Sequence, residues 1–527
     1  MTKPLKLSTL TFACAMSGAL VLGGCGKKNK APKAAQLEEV QKRTVDEAEA
    51  TKALKAMALD SSGDGVLSWA ARDGKAGNYV YRDVTIKDDT DELVKVGEME
   101  LVGVHMEGES PAFDKIVFKD VNATDIEKGD KTEMHFGKIA IVKPSPALAK
   151  AFAEAFNGDD DAFENIEGEV GFKAMSLADM SISDKDVNMN VKALNMGEAD
   201  DKTGVFSLKD LSVDGNKDEK VKIRLESIDV TGANLKKYKG IIKAAMKDGD
   251  SDKFAAEYFK STMNVYDPDF RHASLKGLDA DIEGLKITLD SYVADATKKG
   301  DKMVMEAKMT PLRVVPPAET TDRGMKEFKK ALDTMGYDSL EFTAGGTSIL
   351  DEKADSMVAK DTFIAMKDGF RFSYDLDMTG YKAFMEQAAA MQAEQAKNGG
   401  KANPMAAMGM MSALTINKMH VAFRDDSIVD RVFKLAAAEK GGSPEALKSQ
   451  AKAMLGFLSM AAKDEAQQKL AQDIGKAVSE LIDNGGSLVI DVNPQQPVNL
   501  MQLGMGAASG KVDVNALGIT VSHEPAE

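Results

Sequence analysis

Few side chains in this 527-residue sequence stand at spacings that could do chemistry. Asp60, Ser62 and Asp64 put oxygens at positions one, three and five of a stretch with Gly65 at six and Leu67 at eight, the pattern that wraps a calcium ion. Position twelve, where a bidentate Glu would close the shell, is Ala71. With that ligand gone, a polar turn ahead of a strand is the favoured reading. Asp159-Asp160-Asp161 reads as a solvated loop. The five histidines, His105, His135, His272, His420 and His523, include no pair at metal-ligand spacing. A serine-hydrolase elbow and a phosphate-cradling glycine loop are both absent. No catalytic set, metal site or cofactor is expected. Methionines are a different matter: Met405, Met408, Met410 and Met411 crowd into seven residues, with Met385, Met391 and Met419 around them. Three readings stay open. They are a packed core or flexible flap, an adaptable apolar surface for a lipid or partner, and a soft Cu(I) site.

One cysteine has an assignable fate. Lys3 and Lys6 precede an apolar run, Leu7–Leu22, softened by Ser8, Thr9, Thr11 and Ser17. That layout is a secretory signal, too rich in small and hydroxyl residues for a stable span. It ends in Leu22-Gly23-Gly24-Cys25, which resembles the bacterial lipobox. Small residues admit the peptidase, and the thiol accepts a diacylglyceryl group. The resemblance implies cleavage between Gly24 and Cys25 and N-acylation of Cys25. One acyl chain binds marginally, whereas two or three hold a protein at the membrane. Gly26 stands where enteric lipoproteins retained at the inner membrane have Asp, which implies the outer membrane, facing the periplasm. Cys14 leaves with the signal, so the mature body has no other thiol.

The formal charge of −16 becomes −18 once Lys3 and Lys6 leave. So acidic a body offers phosphate no basic surface, and nucleic acid is excluded as a general partner. Lys27, Lys28, Lys30 and Lys33 beside Cys25 either lie on anionic head groups or form a solvated tether. A mature length of 527 less 24 residues implies two or more domains.

After the tether, Leu37–Leu59 carries an imperfect helical period and is expected to be a spacer helix within an anchor region, 25–58. From about Gly65 the pattern alternates with period two, as half-buried strands do. A phrase recurs: Tyr81-Arg82-Asp83-Val84, Phe118-Lys119-Asp120-Val121, Phe172-Lys173-Ala174-Met175, Leu208-Lys209-Asp210-Leu211 and Leu275-Lys276-Gly277-Leu278. Its spacings are 37, 54, 36 and 67 residues. A base period of 36 or 37 with helical inserts at 147–156 and 238–263 signals a repeat architecture. The repeated Lys-Asp is read as a solvated face with cross-strand ion pairs, against a ligand-binding ladder. Pro311, Pro316 and Pro317 mark a boundary. Beyond it come helices at 322–335, 381–397, 427–440 and 443–483, and strands at 339–342, 361–366, 369–378, 413–423, 487–492 and 517–522. The expected fold is α+β, with an antiparallel β-repeat sheet over 59–317, curved or groove-like, and a helix-rich α+β domain over 318–527.

The strands over 78–315 look like AsmA-like periplasmic β-repeat proteins. Phe423-Arg-Asp-Asp-Ser-Ile-Val-Asp-Arg431 and Gly442-Ser-Pro-Glu-Ala-Leu447 resemble exported alphaproteobacterial proteins of unknown function, which brings no activity with it. The reading that follows is a non-enzymatic envelope lipoprotein binding or shielding an apolar ligand such as a lipid, with Met405, Met408, Met410 and Met411 on its surface. An envelope scaffold or assembly partner is the alternative, and an envelope hydrolase the third.

Overall fold

The computed structural model describes residues 38–87, 93–127, 130–163, 165–199, 203–215, 220–234, 266–397, 412–458, 465–501 and 514–526. They form antiparallel sheet with several helices, so the α+β class holds. The chain divides into two compact units, the first holding the described residues up to Asn234 with Asp269–Leu278, the second holding those from Asp279 onward.

The first unit begins with α1 (Glu47–Ala56) and the short strands β1 (Leu67–Ser68) and β2 (Ala71–Lys75). An antiparallel meander then runs through β3 (Asn78–Lys87), β4 (Leu93–Val102), β7 (Lys115–Glu127), β8 (Asp130–Pro144), β9 (Phe172–Ser183), β10 (Val187–Glu198), β11 (Thr203–Gly215) and β12 (Val221–Asn234). A separate hairpin, β5 (His105–Glu107) with β6 (Ser110–Ala112), interrupts it after β4. Helix α2 (Pro146–Phe156) follows β8; Ser145 caps it and proline opens it. It fills most of the first expected helical insert, whereas the second, 238–263, lies outside the described residues. One face of the sheet buries Tyr81, Val84, Val96, Met99, Phe136, Leu194 and Leu208.

The spacer helix is shorter than its period suggests. Residues 39–46 are not helical, and α1 starts only at Glu47, where the Asp46 carboxylate accepts from the N–H groups of Ala48 and Glu49. The preceding residues form a strap held by side chains. Glu38 reaches Lys138 on β8, Lys115 on β7 and Ser176 on β9. Lys42 pairs with Glu100 on β4 at 3.4 Å, and Arg43 with Asp114 at 3.0 Å. Val40 packs on Val142, Ala174 and Val205. These cross-sheet partners compete with a helix and win, because a helical turn would draw Glu38 and Lys42 off four strands and Arg43 off Asp114.

The second unit has an antiparallel meander of its own: β14 (Leu285–Lys299), β15 (Lys302–Val315), β16 (Leu340–Asp351), β17 (Ser356–Met366), β18 (Phe370–Thr379), β19 (Thr415–Asp425), β20 (Gly486–Val492) and β22 (Ile519–Glu524), with β21 (Val498–Asn499) on β19. Its helices are α3 (Arg323–Met335), α4 (Tyr381–Lys397), α5 (Ile428–Lys440), α6 (Pro444–Leu458), α7 (Glu465–Asn484) and α8 (Val514–Leu517). Strand β13 (His272–Ile282) falls across the division. The prolines expected to mark a boundary fall within the second unit. Pro311 lies inside β15 at a ladder irregularity, and there the Thr310 hydroxyl accepts from Ser291 N–H and donates to Ser291 C=O, both at 2.9 Å. Those bonds stand in for the rungs that proline cannot make.

The Glu38 side chain is 10% exposed. Burial works against its charge, but hydrogen bonds from Lys138 and Ser176 and the charges of Lys138 and Lys115 outweigh it and hold the carboxyl below its usual value. A lowered folded-state value stabilises the fold above the unfolded pKa and loses that contribution as pH falls through the folded one. Glu38→Gln should cost about 1.5–3 kcal/mol at neutral pH. In urea titrations the gap between wild type and variant should close as acid protonates Glu38. A gap unchanged from neutral to acid pH would contradict the strap's charge linkage.

Candidate functional site

The recurring Lys-Asp phrase marks a line across the first unit's meander. Arg82 faces Glu98 and Val84 faces Val96, so Asp83 stands opposite Gly97 where the ladder skips a pair. The same register carries the line through Asp120, Gly137, Asp179, Lys192, Asp210 and Glu226, one residue per strand from β7 to β12, and Gly277 of β13 meets Glu226. On alternate strands this residue is left-handed: Asp83, Asp120, Asp179, Asp210 and Gly277 have φ of 50, 53, 49, 50 and 62°. Asp enters this region more readily than most residues, and Gly freely.

The conformation shifts the side-chain alternation by one. Tyr81 points in, Arg82 and Asp83 both point out, and Val84 points in again. Leu177-Ala178-Asp179-Met180 on β9 does the same. The third sequence phrase, Phe172-Lys173-Ala174-Met175, lies off the line: Ala174 is buried, and β9 contributes Asp179. The left-handed positions are thus 37, 59, 31 and 67 residues apart, which corrects the constant period. The unit is two strands of a meander with loops of uneven length. Gly97 and Gly137 face aspartates, and a Cβ on either would lie 3.2 Å from Asp120 Cβ or 2.9 Å from Asp179 Cβ. Lys119 pairs with Glu98 at 2.5 Å, and Lys192 pairs with Asp179. The line is an exposed crease with cross-strand ion pairs, each contributing little.

The other sequence candidates are held in local structure. Asp60 takes Arg72, whose Nη1 also donates to the Leu59 and Asp60 carbonyls. The Ser62 hydroxyl accepts from Trp69 N–H at 2.8 Å and donates to Trp69 C=O at 3.1 Å. The Asp159 carboxylate accepts from Asp161 N–H. His105 meets Arg43 and Gly103, His135 meets Asn122, His420 meets Asp491 at 2.8 Å, and His523 sits between Glu480 and the Gly485 carbonyl. Among the described residues no three His, Cys, Asp or Glu side chains converge to hold a metal ion. Gly24, Cys25, the basic tether and Met405, Met408, Met410 and Met411 lie outside the described residues.

Ser427 is a position that sequence reasoning passed over. It joins β19 to α5 at φ 110°, strained for a residue with a Cβ. Such strand-to-helix turns can display a nucleophile, but this hydroxyl is committed: it donates to Asp368 C=O and accepts from Arg431 Nε, both at 2.8 Å. Arg431 Nη1 donates to the Met335 and Gly336 carbonyls at 2.6 and 3.0 Å, and its guanidinium lies 4.2 Å from the Tyr337 ring centre. The Tyr337 hydroxyl shares the Asp368 carbonyl, and burial pushes that phenol up. The segment 423–431 is a lock between strands and helices.

The remaining candidate is a surface. On β17–β20 and β22, cross-strand rows put apolar side chains on one face: Ile364, Phe372, Phe423 and Leu488; Tyr374, Val421, Ile490 and Val521; Leu376, Met419, Val492 and Ile519. The opposite face carries rows such as Asp375, His420, Asp491 and Thr520. Helices close one end of the apolar face: Met366 and Phe370 join Leu332 and Phe328 of α3 and Ile428 of α5, while His523 meets Glu480 of α7. Elsewhere the rows are half-buried, and Ile364 is 41% exposed. The first unit buries the corresponding face.

Residues 363–524 match a family described as an uncharacterized protein. No curated protein matches the chain.

Two substitutions test the crease and the lock. Asp120→Gly should leave stability near wild type, and Asp120→Val should cost about 1–2 kcal/mol because a β-branched residue resists left-handed φ. Arg431→Ala should cost about 2–4 kcal/mol, and Arg431→Lys should recover little of it, since lysine lacks the planar fork. Urea midpoints at fixed slope report both.

Proposed function

We propose that this chain is a lipid-anchored, non-enzymatic bacterial envelope protein, held at the outer membrane and facing the periplasm, that shelters an apolar ligand of the lipid class on the second unit's sheet. One observation carries the reading. A single meander pattern serves both units, yet the apolar face buried in the first is only half-buried over the rows of Phe372, Tyr374 and Leu376 in the second. An extended half-covered apolar strip, closed at one end by helices, suits a ligand with long apolar contact. The methionine cluster at 405–411 follows α4 in sequence and precedes β19, and adaptable thioethers suit a cover for such a strip. The finer expectations, a curved or groove-like sheet and a helix-rich C-terminal region, belong to this same reading. Anchoring rests on Leu22-Gly23-Gly24-Cys25. Among the described residues no helix is long and apolar enough to cross a membrane.

Two measurements test it. Mass spectrometry of the membrane-extracted protein should find an N-terminus at Cys25 carrying acyl mass, absent in Cys25→Ser. Solvent extraction of the purified chain should release lipid in stoichiometric amount beyond its own acyl groups. Tyr374→Ser with Val421→Ser should lower that yield about tenfold or more, given the apolar contact removed. A chain that folds normally and releases no lipid would refute the ligand, and an unmodified Cys25 would refute the anchor.

A further inference from the structure

Helix α6 presents an outward face with no cation on it. Its one exposed charge, Glu445, stands in the first turn. From Ala446 to Phe457 its exposed positions are uncharged and include Ser449, Gln450, Ala453, Met454, Gly456 and Phe457. The two lysines of the helix do not contradict it, because both turn toward neighbouring helices: Lys448 pairs with Asp430 of α5, and Lys452 reaches both carboxylate oxygens of Asp483 of α7 at 2.7 and 2.9 Å. Their positive charges are neutralised away from the outer face.

That face ends in two large apolar side chains three residues apart, hence on the same side of the helix. Met454 is 65% exposed and Phe457 61%. They are the two most exposed of the large apolar side chains among the described residues. Neither bears on the half-buried strip, whose rows lie on β17–β20 and β22.

We propose that the outward face of α6 docks on a zwitterionic lipid surface, with Met454 and Phe457 entering the boundary between head groups and acyl chains. The inference rests on the anchored reading above, in which Cys25 keeps the body at a bilayer. Charge selects the occupant. A face with one carboxylate and no cation gains nothing from anionic head groups, in contrast to the basic faces of helices that bind them, whereas its apolar tip is stabilised in the interfacial zone. At 15 residues, α6 is too short to span and would lie along the surface. Its lysines stay paired with α5 and α7, so it can do so without disturbing its neighbours.

The test uses the full acylated chain bound to phosphatidylethanolamine–phosphatidylcholine vesicles. Trp69→Phe removes the one native indole, and Phe457→Trp places a reporter at an exposed site that tolerates it. Brominated acyl chains should quench this indole about twofold or more, and aqueous iodide should reach it poorly, as interfacial insertion requires. Adding Ala453→Glu should reverse both effects while the protein still floats with the vesicles. An indole open to iodide and untouched by bromolipid, on protein that floats, would overturn the inference and leave the anchor standing. Protein that fails to float would overturn the anchor and the inference together. Protection from both quenchers that grows with protein concentration would overturn it in favour of a second copy of the chain.

Discussion

The first unit depends on one backbone constraint. A strand alternates its side chains strictly, so two adjacent polar residues on one face would send the next apolar residue to the wrong side. A single left-handed residue on alternate strands resolves this. Asp83, Asp120, Asp179 and Asp210 each take φ near +50°, and the strand returns to the core in register. The neighbouring strand must then accommodate the altered path, and Gly97 and Gly137 do so by having no Cβ to collide with the facing aspartate. The hydrogen-bond ladder resumes with unchanged pairing on both sides of the line. The long meander, its buried apolar face and the position of its polar line all follow from that arrangement.

The second unit uses related means to another end. Asp361 also lies at φ 50°, and its N–H donates to the Asp375 carboxylate at 2.7 Å. Ladder shifts recur at Gly345 and Thr347, and at Ala359 and Thr362. Here, among the described residues, the apolar face is not closed along its whole length. The lock around Ser427 and Arg431 fixes α5 and α3 against the β17–β18 turn, which concentrates rigid contacts at one end of the sheet.

Much of this was legible in the residues. Period-two alternation located most strands, and the helix ends expected at 322, 443 and 483 fall within a residue or two of where the structure places them. Three features were not legible, each for a physical reason. Residues 39–46 have helix-compatible types, and only partners about 60 to 140 positions away, such as Asp114 and Ser176, hold them extended. The crease hid behind its own phrase: Leu177-Ala178-Asp179-Met180 lacks the basic residue that made the others visible, so Phe172-Lys173-Ala174-Met175 stood in its place. Ser427 read only as the first residue of a helix, yet it stands ahead of α5, and its side chain makes no cap bond and serves Asp368 and Arg431 instead. Sequence types named these residues, and long-range geometry decided what they did.

The strap carries one more consequence, about reach. With Cys25 as the anchor proposed above, the leash between it and the first sheet contact ends at Glu38 when the strap is docked and at Asp46 when it is peeled from the sheet. A fully extended chain covers at most about 3.5 Å per residue, so the leash is about 45 Å in the first case and about 75 Å in the second. The contacts of Glu38, Val40, Lys42 and Arg43 lie in series along this segment, and a pull from the anchor would load them one after another, beginning with Glu38. Under that proposed anchoring, this handful of side chains sets how far from the surface the body can work.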